Sequence, residues 1–179
     1  MKTTRTIPVE FLYLDLTTCR RCIETGGNLE EAVDRVAPIL ADIGVELEFR
    51  KVHVSNEEDA RKHVLEISPT VRINHRDIQP DWEASECGAC GDLCCSETTT
   101  VECRLWDWDG KTHTAAPVPL LMKAILTESL SGERADEREK DVEVSENLEA
   151  FFRSKGRSSE RHHAQQACET ECGCGPECC

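Results

Sequence analysis

The sequence is short of positive charge. Of 179 residues, 21 are Lys or Arg against 35 Asp or Glu, a formal net charge of −14. Nucleic-acid backbones are held by clustered basic side chains that displace counterions. No such cluster occurs, which argues against nucleic acid as a partner. Long apolar runs are missing as well: no stretch approaches the length of a bilayer span, so no membrane association is expected. Met1 to Pro8 is polar and the first apolar run is only strand-length, so no signal peptide is read and the cytoplasm is the expected compartment. No Ser-His-Asp order, phosphate-cradling glycine loop or paired acid–base carboxylates stands out. The acidic excess, with Arg outnumbering Lys, also fits a surface kept hydrated at high salt.

What the chain does have is cysteine, 12 in all. In an exported domain that number would suggest a disulfide framework, whereas in the cytosol it points to metal binding or redox chemistry. The length allows one ordinary domain with extensions.

Val9 to Leu14 is a β-rich apolar run and predicts a buried strand. It leads into Cys19-Arg20-Arg21-Cys22. Gly26-Gly27-Asn28 predicts a loop and a cap, with regular helix from Leu29, an apolar face through Val33, Val36, Ala37 and Leu40, a kink at Pro38 and a stop at Gly44. Val45 to Val54 predicts a second strand, and Ser55 or Asn56 caps a short charged helix to Glu66. A Pro-bearing turn at Pro69 enters a third strand ending at Ile73. Val101 to Trp108 predicts a fourth strand, Asp109-Gly110 a hairpin turn, and Pro117 to Leu130 a last helix. The domain therefore spans 1–130, with a cysteine-rich insertion at 81–100. A charged polar linker follows at 131–167, where Leu148, Phe151 and Phe152 can form a short turn that docks back, and a flexible cysteine-rich tail occupies 168–179.

Three cysteine clusters carry the chemistry. Cys19 and Cys22 are the redox candidates, Cys19 attacking and Cys22 resolving, with Arg20 and Arg21 supplying positive charge that favours thiolate. On a loop before Leu29, the same pair would suit capture of a soft metal. Cys87, Cys90, Cys94 and Cys95, with Cys103 beyond, supply enough thiolates for a tetrahedral structural zinc; a disordered or disulfide-closed loop is the alternative. Cys168, Cys172, Cys174, Cys178 and Cys179 lie among Gly, Pro and Glu, where no core can explain them. Such ligands favour As(III), Hg(II), Cu(I), Cd(II) or Zn(II), and As(III) takes three thiolates in a pyramid. His162 and His163 could add borderline ligands. His53, His63, His75 and His113 are scattered, and Trp106 and Trp108 read as core.

The order βαβα, Pro-bearing turn, ββ and helix resembles the α/β, three-layer thioredoxin-like fold. In that superfamily the reactive cysteine pair follows the first strand, as Cys19 and Cys22 do. A cis-proline before the third strand packs beside the pair, a place Pro69 would take. Residues 8–130 are similar to an uncharacterised family of thioredoxin-like domains of unknown function in archaea and bacteria, a resemblance that implies a fold and no reaction. A looser similarity is to the arsenic metallochaperones: Cys19 and Cys22 match their first cysteine cluster in location, and Cys178-Cys179 matches their C-terminal vicinal pairs. The first cluster's own vicinal pair is missing here, and the Cys87 to Cys103 segment has no counterpart.

The expected function is thiol-based binding of a soft metal or metalloid ion, as a chaperone or resistance accessory with an efflux protein or a thiol redox partner. The alternative is a thiol-disulfide oxidoreductase that cycles Cys19 and Cys22. A third option is a binding module whose metal sites are purely structural.

Overall fold

The computed structural model describes residues 5–87, 101–131 and 143–153. Cys90, Cys94, Cys95, His162, His163 and the five cysteines from Cys168 to Cys179 lie outside these residues.

The architecture is mixed α/β. Strand β1 (Arg5–Tyr13) leads to helix α1 (Arg20–Asp42), then strand β2 (Val45–His53) and the short helix α2 (Glu57–Lys62). Strands β3 (Thr70–Ile73) and β4 (Arg76–Asp77) complete a sheet of order β2-β1-β3-β4. β2 runs parallel to β1, with Arg5 opposite Val45, while β3 and β4 are antiparallel. Two small pairs follow: β5 (Ala84–Glu86) with β6 (Glu102–Arg104), and β7 (Trp106–Trp108) with β8 (Lys111–His113). Helix α3 (Val118–Leu130) and helix α4 (146–153) end the described chain.

Alternation along β1 sets two cores. Ile7, Val9 and Phe11 face Leu29, Ala32, Val36 and Leu40 of α1 and Leu121 and Ile125 of α3. Leu12 and Leu14, at the far end of β1, instead join Cys19, Cys22, Leu65, Cys87, Val101, Cys103, Leu148 and Phe151. The second core thus lies where β1 turns into α1.

Helix α1 starts nine residues before the expected Leu29, and runs through Gly26, Gly27 and Pro38 without a break. The reason is packing. A Cβ on residue 26 would lie 2.9 Å from the Phe11 ring, so glycine there allows the helix to sit close on the sheet. Asn28 is not a cap: its side-chain amide donates to the Ala116 carbonyl at 2.8 Å. Each glycine costs the helix about 1 kcal/mol in propensity, and Gly27 has no such close neighbour. Gly44, in the left-handed region at φ 83°, ends the helix as expected, and its N–H donates to Ala41 O at 3.0 Å.

Asn56 caps α2 by accepting from the Asp59 N–H at 2.8 Å. The chain beyond is strained: Val64 has φ 50°, costly for a β-branched residue. The Arg72 guanidinium donates to the carbonyls of His63 and Val64, both at 2.6 Å, and holds that turn. The expected fourth strand is broken at Leu105 into β6 and β7, and Asp109-Gly110 does form the hairpin turn, with φ 52° and 70°. The peptide between Ser68 and Pro69 is cis, immediately before β3.

Arg104 is fully buried on β6. Its guanidinium donates to both carboxylate oxygens of Asp77, at 2.8 and 2.7 Å, to Thr70 Oγ1 at 3.1 Å and to the Gln79 carbonyl. It also lies 4.5 Å from the centre of the Trp106 ring. The Arg104 backbone N–H donates to Ser68 O at 3.0 Å. Strand β6 is thereby tied to the main sheet. Removing one partner of a buried ion pair strands the other's charge, so Asp77→Ala should cost about 3–5 kcal/mol of unfolding free energy. Urea denaturation of the variant checks this, and a loss below about 1 kcal/mol, the range of an exposed pair, would contradict it.

Candidate functional site

The four described cysteines meet in the second core. Asp15 shapes the approach to the first of them. Its carboxylate accepts from the Thr17 N–H and hydroxyl, both at 2.6 Å, and from the Thr18 hydroxyl. Partial burial works to raise the Asp15 pKa, but these hydrogen bonds outweigh it and leave the carboxyl below its ordinary value. Cys19 then stands as the N-cap of α1, its carbonyl accepting from the Ile23 N–H at 3.0 Å. Cys22 lies in the first turn. The expectation that both sit on a loop is corrected by the early start of α1.

Cys87 and Cys103 arrive from the β5–β6 pair. Ser85 stands opposite Cys103, and two residues on, on the same face, is Cys87, whose N–H donates to Val101 O at 2.9 Å. The Sγ atoms of Cys19, Cys87 and Cys103 all lie within 4.8 Å of one another. All three residues are buried, at 0%, 5% and 1% exposure, and none is in a disulfide.

Arg21 clamps the two elements together. One guanidinium nitrogen donates to Ser85 Oγ at 2.9 Å, Ser85 O at 3.3 Å and Cys103 O at 3.2 Å; the other donates to Glu86 O at 2.9 Å. The sequence offers this side chain only as positive charge beside the thiols. Its five-donor fork suits several carbonyls at once, but nothing in the sequence shows that carbonyls will be there.

Cys22 is placed differently. Its Sγ lies 3.6 Å from Ser68 Oγ, beside the cis peptide, and its thiol is hydrogen-bonded to Cys19. That hydrogen bond raises its pKa most, burial next, and Ser68 offsets part, so the thiol stays protonated well above its ordinary 9.0. Pro69 is buried in the same turn.

The expected partition put Cys19 and Cys22 in one site and Cys87 and Cys103 in another. The fold instead brings Cys87 and Cys103 to Cys19. Ser68, Arg21 and Arg104, which brace this arrangement, were not singled out as site residues.

A folded pKa above the unfolded one gives a stability contribution fully present below the unfolded value. It is lost progressively as pH rises from there toward the folded pKa. For the reduced, metal-free protein, Cys22 should therefore make stability fall as pH rises above about 9. Urea midpoints of the wild type and Cys22→Ser, compared below and above that pH, should diverge. A constant difference between the two proteins would rule out this role for Cys22.

The family described as a domain of unknown function (DUF2703) matches residues 7–125. An uncharacterized protein of Archaeoglobus fulgidus is 33% identical over 97 residues, which cover 50% of this chain and 69% of the relative. No solved structure matches. The matched span holds Cys19, Cys22, Cys87 and Cys103, and the chain belongs to the DUF2703 family.

Proposed function

We propose that this protein binds a soft, thiophilic metal or metalloid ion at Cys19, Cys87 and Cys103. The observation that carries the reading is the convergence of three buried sulfurs, from α1, β5's end and β6, within 4.8 Å of one another. Free cysteine packs well as a small hydrophobe, but packing alone has no need to bring three together. Soft thiolates select soft ions, and burial selects among them by charge. Three thiolates on a trivalent ion such as As(III) make a neutral unit. The same set on Zn(II) or Cu(I) leaves net negative charge in an apolar core, which is costly to desolvate. As(III) is therefore the leading candidate, with Arg21 beside Cys103 O offsetting charge for a divalent ion.

The cysteine-rich tail fits a chaperone or resistance accessory that passes the ion on to an efflux protein, and free thiols suit the reducing cytoplasm. Among the described residues, no helix is long and apolar enough to cross a membrane. The cysteine pair at the start of α1, beside a cis-proline turn that enters an antiparallel strand, supports a thioredoxin-like reading of the fold. The same pair favours a second function, thiol-disulfide exchange, through the contact of Cys22 with Cys19 and Ser68. Exposures of 0% and 1% for the two cysteines weigh against it, since an attacking thiol must reach its substrate.

Reduced protein titrated anaerobically with arsenite and then desalted should retain at least one arsenic per chain. So should a full-length variant that keeps only Cys19, Cys22, Cys87 and Cys103. Single Ser substitution of Cys19, Cys87 or Cys103 in that variant should weaken binding by about 100-fold or more, at least the loss caused by removing a supporting group. Cys22→Ser should change it little. Circular dichroism confirms that each variant is folded, and undiminished binding by the single-Ser variants would defeat the assignment.

A further inference from the structure

Two arrangements compete for Cys19. Its sulfur is one of the three that converge with Cys87 and Cys103, and it is also the hydrogen-bond partner of Cys22. Residues three apart at the start of a helix share a face, so the pair is placed for a bond as well as a contact. Ser68, 3.6 Å from Cys22 Sγ, keeps Cys22 beside Cys19 and outside the three-sulfur group. If Cys19 bonds to Cys22, Cys87 and Cys103 are left as the described ligands.

We infer that ion occupancy and a Cys19–Cys22 disulfide are mutually exclusive states of one site, so that oxidation by a thiol–disulfide buffer releases the ion. The inference rests on the three-thiol reading above and gives that site its regulation. The oxidant is a small disulfide, R–S–S–R. The Cys19 thiolate attacks one of its sulfurs, and RS⁻ leaves, forming a mixed disulfide on Cys19. Cys22 then attacks Cys19 Sγ; its proton goes to the departing sulfur, which leaves as RSH. Two electrons pass from the two cysteine sulfurs to the small disulfide, which is reduced to two thiols. The ion loses one of three thiolates and dissociates.

Burial of both cysteines sets the rate of this exchange and leaves its equilibrium untouched. Linkage then fixes the reverse effect: an ion that binds only the reduced form makes the pair harder to oxidise by the same factor. Cys22 contributes nothing to holding the ion in this scheme. Its part is to take Cys19 away.

The test uses the full-length chain that keeps only Cys19, Cys22, Cys87 and Cys103, equilibrated anaerobically at fixed reduced glutathione and varied oxidised glutathione. The disulfide fraction is read by thiol alkylation, peptide mapping and mass spectrometry, and bound arsenic is measured on the same samples. Above the binding constant, each tenfold rise in free arsenite should lower the midpoint potential by about 30 mV. Arsenic should leave in step with formation of the Cys19–Cys22 disulfide. Cys22→Ser should bind arsenite when reduced and keep it across the same series wherever mapping shows no mixed disulfide with glutathione on Cys19.

A midpoint that ignores arsenite, in protein that binds arsenite when reduced, overturns the inference and leaves the three-thiol site standing. So does a disulfide mapped to Cys87 and Cys103, or loss of arsenic from Cys22→Ser at oxidised-glutathione levels where its Cys19 carries no mixed disulfide. Failure of the reduced protein to bind arsenite at all defeats the three-thiol reading itself, and the inference with it.

Discussion

Strands of three residues do not hold themselves in place, and β5 and β6 are both that short. Their position depends on two arginines. Arg21 reaches from the first turn of α1 to the backbone of Ser85, Glu86 and Cys103. Arg104, at the end of β6, is anchored in the main sheet through Asp77 and Thr70. Cys103 is adjacent to Arg104 in sequence and bonded through its carbonyl to Arg21, so its place relative to Cys19 is fixed from both sides. The partners named for Arg21 are neutral oxygens. Its charge is therefore not spent on a carboxylate there, and it bonds the backbone of Cys103, a residue whose sulfur must become anionic to bind a metal.

The second core is unusual in what it mixes. Four cysteines share it with Leu12, Leu14, Leu65, Leu148 and Phe151, and all of these residues are nearly or fully buried. As neutral thiols the cysteines suit such surroundings. As thiolates they do not, unless a cation neutralises them at close range. Helix α4 helps to seal the region. Asn147 accepts from the Glu102 N–H at 2.8 Å and donates to the Glu102 carbonyl at 2.9 Å, standing in for a neighbouring strand along β6. An ion bound here would sit under that cover, where little water competes for it.

Local signals carried well into the structure and non-local ones did not. The apolar run of β1, the alternation of β2, Asn56 as a cap, Gly44 as a stop and the Asp109-Gly110 turn all depend on neighbours in sequence. The start of α1 did not follow from local rules, because Gly26 answers to Phe11 across the sheet. Leu148 and Phe151 were readable as an apolar turn, although their place over β6 was not. The grouping of cysteines was legible only in part for the same physical reason: Cys87 and Cys103 meet as expected, and Cys19 joins them. Cys87 and Cys90 have metal-ligand spacing, and that spacing suggested a self-contained insertion site. Besides Cys103, Cys87 meets Cys19, 68 positions away, through a strand pairing that places Ser85 opposite Cys103.

A sealed site must open to be filled, and the elements around it are not equally able to move. Strand β1 pairs with β2 over nine residues and with β3 over four, and α1 lies on it through a continuous apolar face. The β5–β6 pair has three residues a side and leans on polar contacts at its ends. Local opening follows the elements with the fewest buried contacts, so β5 and β6, once the holds of Arg21 and Arg104 are released, would open before α1 does. Lifting them carries Cys87 and Cys103 away together while Cys19 stays on its helix beside Cys22. An entering ion or disulfide would then meet the α1 pair first, and closure would add the other two sulfurs. In the proposed reading, entry of the ion, its capture by three thiolates and its loss by oxidation would all use that single motion, because the three ligands come from one fixed element and one that can leave it.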